Sequence, residues 1–296
     1  MRILDLNHTQ SQVRGRLGAI GFERTKELLG ILRWKRKEMA WPLDRLLAFF
    51  MLFQASGNPC LKSFWMAFSQ IPPAEGQAPL PSYNTICKWF ARSHALLAEL
   101  VAGTLTPMSQ GLGYIDSMKL PICEPYRWVK SMGKAAGKGH SACQDYWGLK
   151  LHALIDSKGN LCAACVSAAN VHDLKPVKEG LLSGQTGTIY ADKGYVSRDV
   201  HYDLMRKNLF FYAKPRDNMG LDTQWSYEYV QNWRLRHAKP YRKRVSVERF
   251  FAELKGQFNL KIQGLRSPAM ARARIFAALL CRQWIRLGVL APVRVF

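Results

Sequence analysis

Three acids stand where stability alone does not ask for them. Asp116 lies inside the apolar stretch YIDS, which reads as a strand, and Asp192 directly follows another apolar stretch, in IYADKGY. A carboxylate among apolar strand residues is costly to bury unless it is paired or binds a cation. The third acid, Glu248, falls in PYRKRVSVERFFAELKGQFNLKIQG, residues 240–264, the segment around which the chain is organised. That segment predicts a helix opened by Pro240 in its first turn and ended near Gly256 or a turn later. At about 100° per residue, Val247, Phe250, Phe251, Leu254 and Phe258 cluster on one side for burial. Tyr241, Arg244, Glu248 and Lys255, spaced by three, four and seven, share a different face. Arg242, Lys243, Arg244 and Arg249 surround the single acid. Such a face suits a carboxylate that holds a cation beside a polyanion; the plain alternative is a solvated glutamate on an amphipathic helix.

The chemistry requires the acids to meet. In a sheet ordered three-two-one-four-five, the first and fourth strands are adjacent, so Asp116 and Asp192 lie together near the sheet centre. The helix can then bring Glu248 against them. Three converging carboxylates repel one another and imply divalent cations. Two such ions can orient water or a 3′-hydroxyl and stabilise the departing oxygen in phosphodiester displacement. The competing account is that Asp116 caps a turn and Asp192 merely starts a loop.

The elements that must position these residues follow from the pattern of the chain. Residues 1–108 read as a small helical domain. A possible helix over Ile20–Trp34 ends in the basic run Arg33, Lys35, Arg36, Lys37, and a second starts at Pro42 with Leu43, Leu46, Leu47, Phe50 and Met51 at helical spacing. A short helix spans Leu61–Phe68, and after a proline-rich loop Ser82 reads as the N-cap of YNTICKWFARSHALLAELVAG. Short basic helices joined by turns suit a DNA-reading module. From residue 109 on the grammar changes to strands: LGYIDSMKLP, then YWGLKLHALID turned back at Ser157–Asn160 into LCAACVSAAN, then TIYA and LFFYAKP. Helices fall within Asp173–Leu182, from Ser197, and over Pro268–Leu287, the last expected to pack on this body. The fold class is therefore α/β, a mixed five-stranded sheet flanked by helices, over residues 109–296.

The charge says what such a body meets. The chain has 296 residues, 43 Lys and Arg against 21 Asp and Glu, and a net charge of +22. No fold needs that excess; its usual use is attraction to phosphates. The seven cysteines have no disulfide-scaffold rhythm, which suits a reducing cytosol. The longest apolar stretches are too short to span a bilayer or are broken by Arg282 and Arg286, so no membrane is expected. Between the first two strands, Arg127, Lys130, Lys134 and Lys138 around Trp128 read as a flexible cationic flap for DNA, against the alternative of a solvated loop. Its Gly137-Lys138 does not match a P-loop, and no nucleoside triphosphate is implied. Cys162 and Cys165 read as buried thiols, since strand residues three apart face opposite sides. Trp225, Trp233, Arg234 and Arg236 serve either packing or the clamping of unpaired bases.

At this point the residues carry a resemblance. Asp116 in YIDS, Asp192 in ADKGY, WGLKLHALID, ANVHD at Ala169–Asp173, and Tyr241, Arg244, Glu248 and Lys255 in a Y-x2-R-x3-E-x6-K pattern resemble the DDE transposases of bacterial insertion sequences, which have an RNase H-like catalytic domain. With 55 residues between Asp192 and Glu248, there is no room for the large β-rich insertion of some relatives. The resemblance implies cutting of double-stranded DNA at the ends of a mobile element and joining to target DNA. It implies two Mg2+ ions, with Mn2+ as a substitute, on Asp116, Asp192 and Glu248. Arg244, Lys255 and Lys193 would then contact phosphates, and Tyr241 would stack on or hydrogen-bond a strand. It further implies a homodimer or larger assembly on DNA and a bacterial cytoplasmic, nucleoid-associated location. Two other functions remain open on the same residues: a metal-dependent endonuclease or junction resolvase that cuts without joining, and a DNA-binding derivative without chemistry.

Overall fold

The computed structural model describes residues 6–29, 41–73, 77–108, 111–123, 130–140, 145–265 and 267–290. Its N-terminal helices are α1 (Leu6–Ile20), α2 (Phe22–Leu28), α3 (Leu43–Ala55), α4 (Leu61–Ser69), α5 (Tyr83–Arg92) and α6 (His94–Ala102). The first helix thus starts earlier than expected and is broken at Gly21, whose φ of 85° is a left-handed conformation that glycine adopts without strain. The expected basic run at 33–37 lies outside the described residues. α3 is buried on every side, with Leu46, Leu47, Phe49, Phe50 and Phe53 almost inaccessible, so it is the central helix of its layer. Ser82 caps α5 as expected, accepting from the Thr85 N–H.

The strands are β1 (Gly111–Cys123), β2 (Gly137–Gly139), β3 (Tyr146–Asp156), β4 (Leu161–Ala168), β5 (Gly187–Ala191) and β6 (Leu209–Ala213). The five longer ones run in the expected order, with β4 on β3, β3 on β1, β1 on β5 and β5 on β6. β1, β3 and β4 are mutually antiparallel, whereas β5 and β6 continue β1 in parallel. A sixth strand corrects the expectation of five. β2 lies in the segment expected to be a flexible flap and pairs with the start of β3. Its glycines permit this approach: a Cβ on Gly139 would sit 2.5 Å from the Tyr146 ring, and one on Gly137 would sit 2.1 Å from the Asn170 amide.

The two faces of the sheet differ. One carries Ile115, Leu154, Ile189 and Phe211 into an apolar core with Tyr195 and with Val200 and Leu204 of α8 (Arg198–Met205), beside Val177 of α7 (Leu174–Lys178). The other carries Tyr114, Tyr190 and Tyr212, aligned by the strand register and stacked at 6.1 and 6.3 Å.

A long helical run follows: α9 (Gln224–Asn232), a π turn over Trp233–His237, α10 (Ala238–Tyr241), a 3-10 turn over Arg242–Arg244, and α11 (Val245–Gly256). The helix expected to begin at Pro240 is therefore the end of a longer one. Proline lacks the N–H for the fourth preceding carbonyl and its ring crowds that carbonyl. The π turn before it and the 3-10 turn after it depart from α spacing where an α-helix would be broken. Val247, Phe250, Phe251, Leu254 and Phe258 are all buried, as the periodicity predicts.

The chain forms two compact units. One holds residues from Leu105 to Ala252 apart from 129–132, and the other holds residues up to Thr104 together with those from Glu253 on. The first boundary lies close to the expected one at 108, but the C-terminal part differs. α12 (Pro268–Arg286) packs on α3, α5 and α6, whereas the sequence suggested the strand-bearing body. α12 is buried almost all round, Ala271 to Trp284, so it needs helices on several sides rather than one sheet face. Its Arg274 is buried against the Phe53 ring, 4.2 Å away, and donates to the carbonyls of Asn58 and Asn259.

Candidate active site

The site is built on the tyrosine face of the sheet. Tyr114 pairs with Tyr190 and Ile115 with Ala191 across the parallel β1–β5 ladder. Continuing that register by one residue sets Asp116 beside Asp192, and the period of two puts both on the tyrosine side. Neighbouring strands lie about 4.8 Å apart, so backbone geometry alone makes these acids neighbours.

Side chains from the helical run complete the arrangement. Arg244 Nη1 donates to Asp116 Oδ2 at 2.6 Å, and Nη2 donates to Glu248 Oε1 at 2.9 Å, one turn along the helix. Tyr241 Oη donates to Asp192 Oδ1 at 3.4 Å, with the Arg244 guanidinium 5.7 Å from its ring centre. The Ser117 backbone N–H donates to Asp116 Oδ1 at 2.9 Å. Side-chain exposures are 22% for Asp116, 14% for Arg244 and 54% for Glu248, so the guanidinium and the sheet acid are largely buried whereas the helix acid faces solvent.

The electrostatics follow. Burial pushes the Asp116 carboxyl above its ordinary value; Arg244 and the Ser117 N–H oppose this, and nearby Asp192 adds to it. Burial also works against the charge of Arg244, but Asp116, Tyr241 and Asp192 outweigh it and hold the guanidinium firmly protonated. The Tyr241 phenol is raised mainly by burial. The guanidinium thus neutralises Asp116. It stands between Asp116 and Glu248, and among the described residues no three His, Cys, Asp or Glu side chains gather into a cation cage. The donor set still fits a hard divalent ion, since it consists of carboxylate oxygens with two acids side by side.

The remaining predicted residues are scattered. Lys193, next to Asp192, reaches Asp217 at 3.4 Å on the surface. Arg234, Arg236, Arg242, Lys243 and Arg249 are exposed along the helical run. Lys134 is exposed, and Lys138 pairs with Asp145 at 2.8 Å, which ties down part of the expected flap. Arg127 and Trp128, and the side chain of Lys130, lie outside the described residues. Lys255 is exposed in the last turn of α11, beyond the boundary of this unit. Trp233 is buried between Tyr190 and Tyr241, a packing role, whereas Trp225 stacks on Tyr229 and lines with Arg236 an open cavity of about 520 Å3. Asp173 makes no bond that caps α7 and pairs with Lys150 of β3 at 3.0 Å.

Residues 108–284 match the family model described as the transposase DDE domain. The chain belongs to that family. The protein named "Putative transposase y4zB", of Sinorhizobium fredii, is 28% identical over 160 residues, which cover 51% of this chain and 40% of that relative. The chain therefore matches less than half the length of that relative. The mixed sheet with flanking helices is consistent with the α/β, RNase H-like class that the resemblance implied. No helix among the described residues of this transposase-family chain is long and apolar enough to cross a membrane.

Sequence reasoning passed over His237 and Tyr190, whose rings meet Trp233, the ring that packs on Tyr241. A signal was present: Tyr114 and Tyr190 each stand two residues before an acid, on the same side of a strand.

Proposed function

We propose that this chain cuts double-stranded DNA at the ends of a mobile element and joins those ends to target DNA, with Asp116, Asp192 and Glu248 as the metal-binding acids. The observation that carries the proposal is the juxtaposition of Asp116 and Asp192 by strand register, linked to Glu248 through Arg244. Mg2+ held by these carboxylates, or Mn2+ in its place and two ions in the full site, would activate the attacking oxygen and stabilise the departing one.

The chain's own groups do the rest. Asp116 and Asp192 are fixed by the sheet and, through a cation held between them, would set the position of the reacting phosphodiester. Arg244 neutralises Asp116 in the DNA-free state. If a cation were held by the acids, the planar fork of Arg244 would bind phosphate oxygens bidentately. Tyr241 orients Asp192 and presents an aromatic edge to the strand. Lys193, Lys255 and the exposed Arg234, Arg236, Arg242, Lys243 and Arg249 supply the sequence-independent attraction that a chain of +22 offers to a polyanion. The helices α1 to α6 contribute recognition of element ends. Two ends processed together imply at least a dimer on DNA, in the bacterial nucleoid.

The test supplies a duplex with a free 3′-hydroxyl, target plasmid and Mg2+ or Mn2+, and follows nicked and joined products. Joining that disappears in Asp116→Asn and Asp192→Asn supports the proposal. Nicking without joining would make the chain an endonuclease or resolvase, and tight binding with neither would make it a silent DNA-binding derivative.

A further inference from the structure

The π turn ahead of Pro240 ends on a histidine that reaches two strands. The His237 ring stacks on Tyr212 of β6 with 3.6 Å between centroids and 22° between planes. Its Nδ1 lies 3.1 Å from the Tyr190 hydroxyl of β5, and its Nε2 lies 3.5 Å from the Asn232 amide nitrogen of α9. Because the amide N–H donates to Nε2, the proton sits on Nδ1 and is donated to the Tyr190 oxygen. One imidazole therefore joins two strands to the helix on either side of the turn.

The place matters for the acids. Tyr190 stands two residues before Asp192 on the same side of the strand. Four residues after His237 comes Tyr241, which touches Asp192, and seven after it comes Arg244, which touches Asp116. Spacings of four and seven return to one helix face. π turns inside helices are costly and recur at functional sites. Leu235, at the crest of this one, is 81% exposed, so the turn is held through the rings of Trp233 and His237 and not at its crest.

We propose that His237 is a positioning residue: by bonding Tyr190 and stacking on Tyr212 it sets the rotation of the helical run, and hence the placement of Tyr241 and Arg244 over Asp192 and Asp116. The proposal rests on the functional reading above for its catalytic consequence, but not for its structural one. Burial, Arg236 and His201 lower the imidazole pKa, which keeps it neutral and able to use one nitrogen as donor and the other as acceptor.

Two substitutions in the full-length chain separate the contributions. His237→Phe keeps a stacking ring and loses the donor, whereas His237→Asn places an amide N–H near the Nδ1 position and loses the ring. Three readouts are taken: Mn2+-dependent nicking of supercoiled plasmid, plasmid affinity, and hydrogen exchange of the backbone amides over 238–248. His237→Phe should nick about tenfold to a hundredfold more slowly, as a small misplacement of reacting groups does. Its plasmid affinity should remain parental, and exchange should accelerate over 238–248 alone. His237→Asn should recover part of both losses. Parental nicking and exchange in His237→Phe would overturn the proposal, reducing His237 to a filler. A uniform rise in exchange across the chain with loss of affinity would overturn it too, because the residue would then hold up the fold at large. If the parent chain itself does not nick, the functional reading fails, and exchange over 238–248 still decides the positioning role.

Discussion

Asp116 and Asp192 owe their proximity to the β1–β5 ladder, whereas Glu248 rides on α11, more than half exposed, and is tied to the sheet through the Arg244 guanidinium. The first arrangement is set by backbone hydrogen bonds that no single side chain can undo. The second depends on one charged side chain with two partners and a long stem. In the proposed function the sheet would hold a fixed anionic floor and the helix would carry the part that rearranges on binding. Arg244 is the point where the two halves meet.

The largest effect should come from the fixed half. Asp116→Asn and Asp192→Asn should each slow nicking and joining by about 1,000-fold or more, as loss of one member of a concerted site does. Melting temperature should fall less in Asp116→Asn than in Arg244→Ala, because the guanidinium keeps Glu248 as a partner, and should stay near the parental value in Asp192→Asn. Glu248→Gln should cost less, about 100-fold. Equal losses at all three positions would erase the distinction between floor and helix.

Arg244 tests the junction itself. Arg244→Ala strands a largely buried carboxylate and should cost about 2 to 3 kcal/mol of stability, read by urea unfolding. Arg244→Lys keeps the charge but not the fork, so joining should fall about tenfold while melting changes little. Joining within about twofold of the parent together with a clear drop in melting temperature would make Arg244 a strut and nothing more.

The sheet half should also be the acid-sensitive one. His152 of β3, opposite Ser117, is fully buried, bonded to Ser167, and held down to about 4 by burial. The unfolded chain binds this proton more readily, so the stabilisation is complete above pH 6.5 and is lost as pH falls from 6.5 to about 4. The loss should be on the order of 2 to 3 kcal/mol, and His152→Leu should flatten that limb of the pH–stability curve. Matching acid limbs in parent and variant would remove His152 from the account. The smallest effect belongs to Lys255→Ala, which should weaken plasmid binding a few-fold and reduce the slope of log affinity against log salt by about 1. An unchanged slope would take Lys255 off the DNA.

The sequence alone determined much of this protein, wherever a local rule applied. Alternation placed the five long strands, helical periodicity chose the buried side of α11, and Ser82, with no deeper context, announced the start of α5. Asp116 and Asp192 stood out because a carboxylate in or beside an apolar strand needs a reason, and Glu248 because basic residues surround it. Where partners came from far along the chain, local rules were silent. The period that described α12 as amphipathic could not say that α3, α5 and α6 would cover it, because an apolar stripe specifies burial and not against what. β2 was unreadable because three residues with two glycines carry no alternation; they pair only because β3 presents an open edge and Gly137 and Gly139 allow close approach. The π turn, too, looked like ordinary helix, since its register is set by His237 meeting Tyr190 and Tyr212 on two other strands. Arg244 was visible as a cation four residues from Glu248, yet its shorter bond goes to Asp116, 128 positions away. Only the folded sheet brings that carboxylate within reach, and in a half-buried site the less solvated acid has the greater need of the charge.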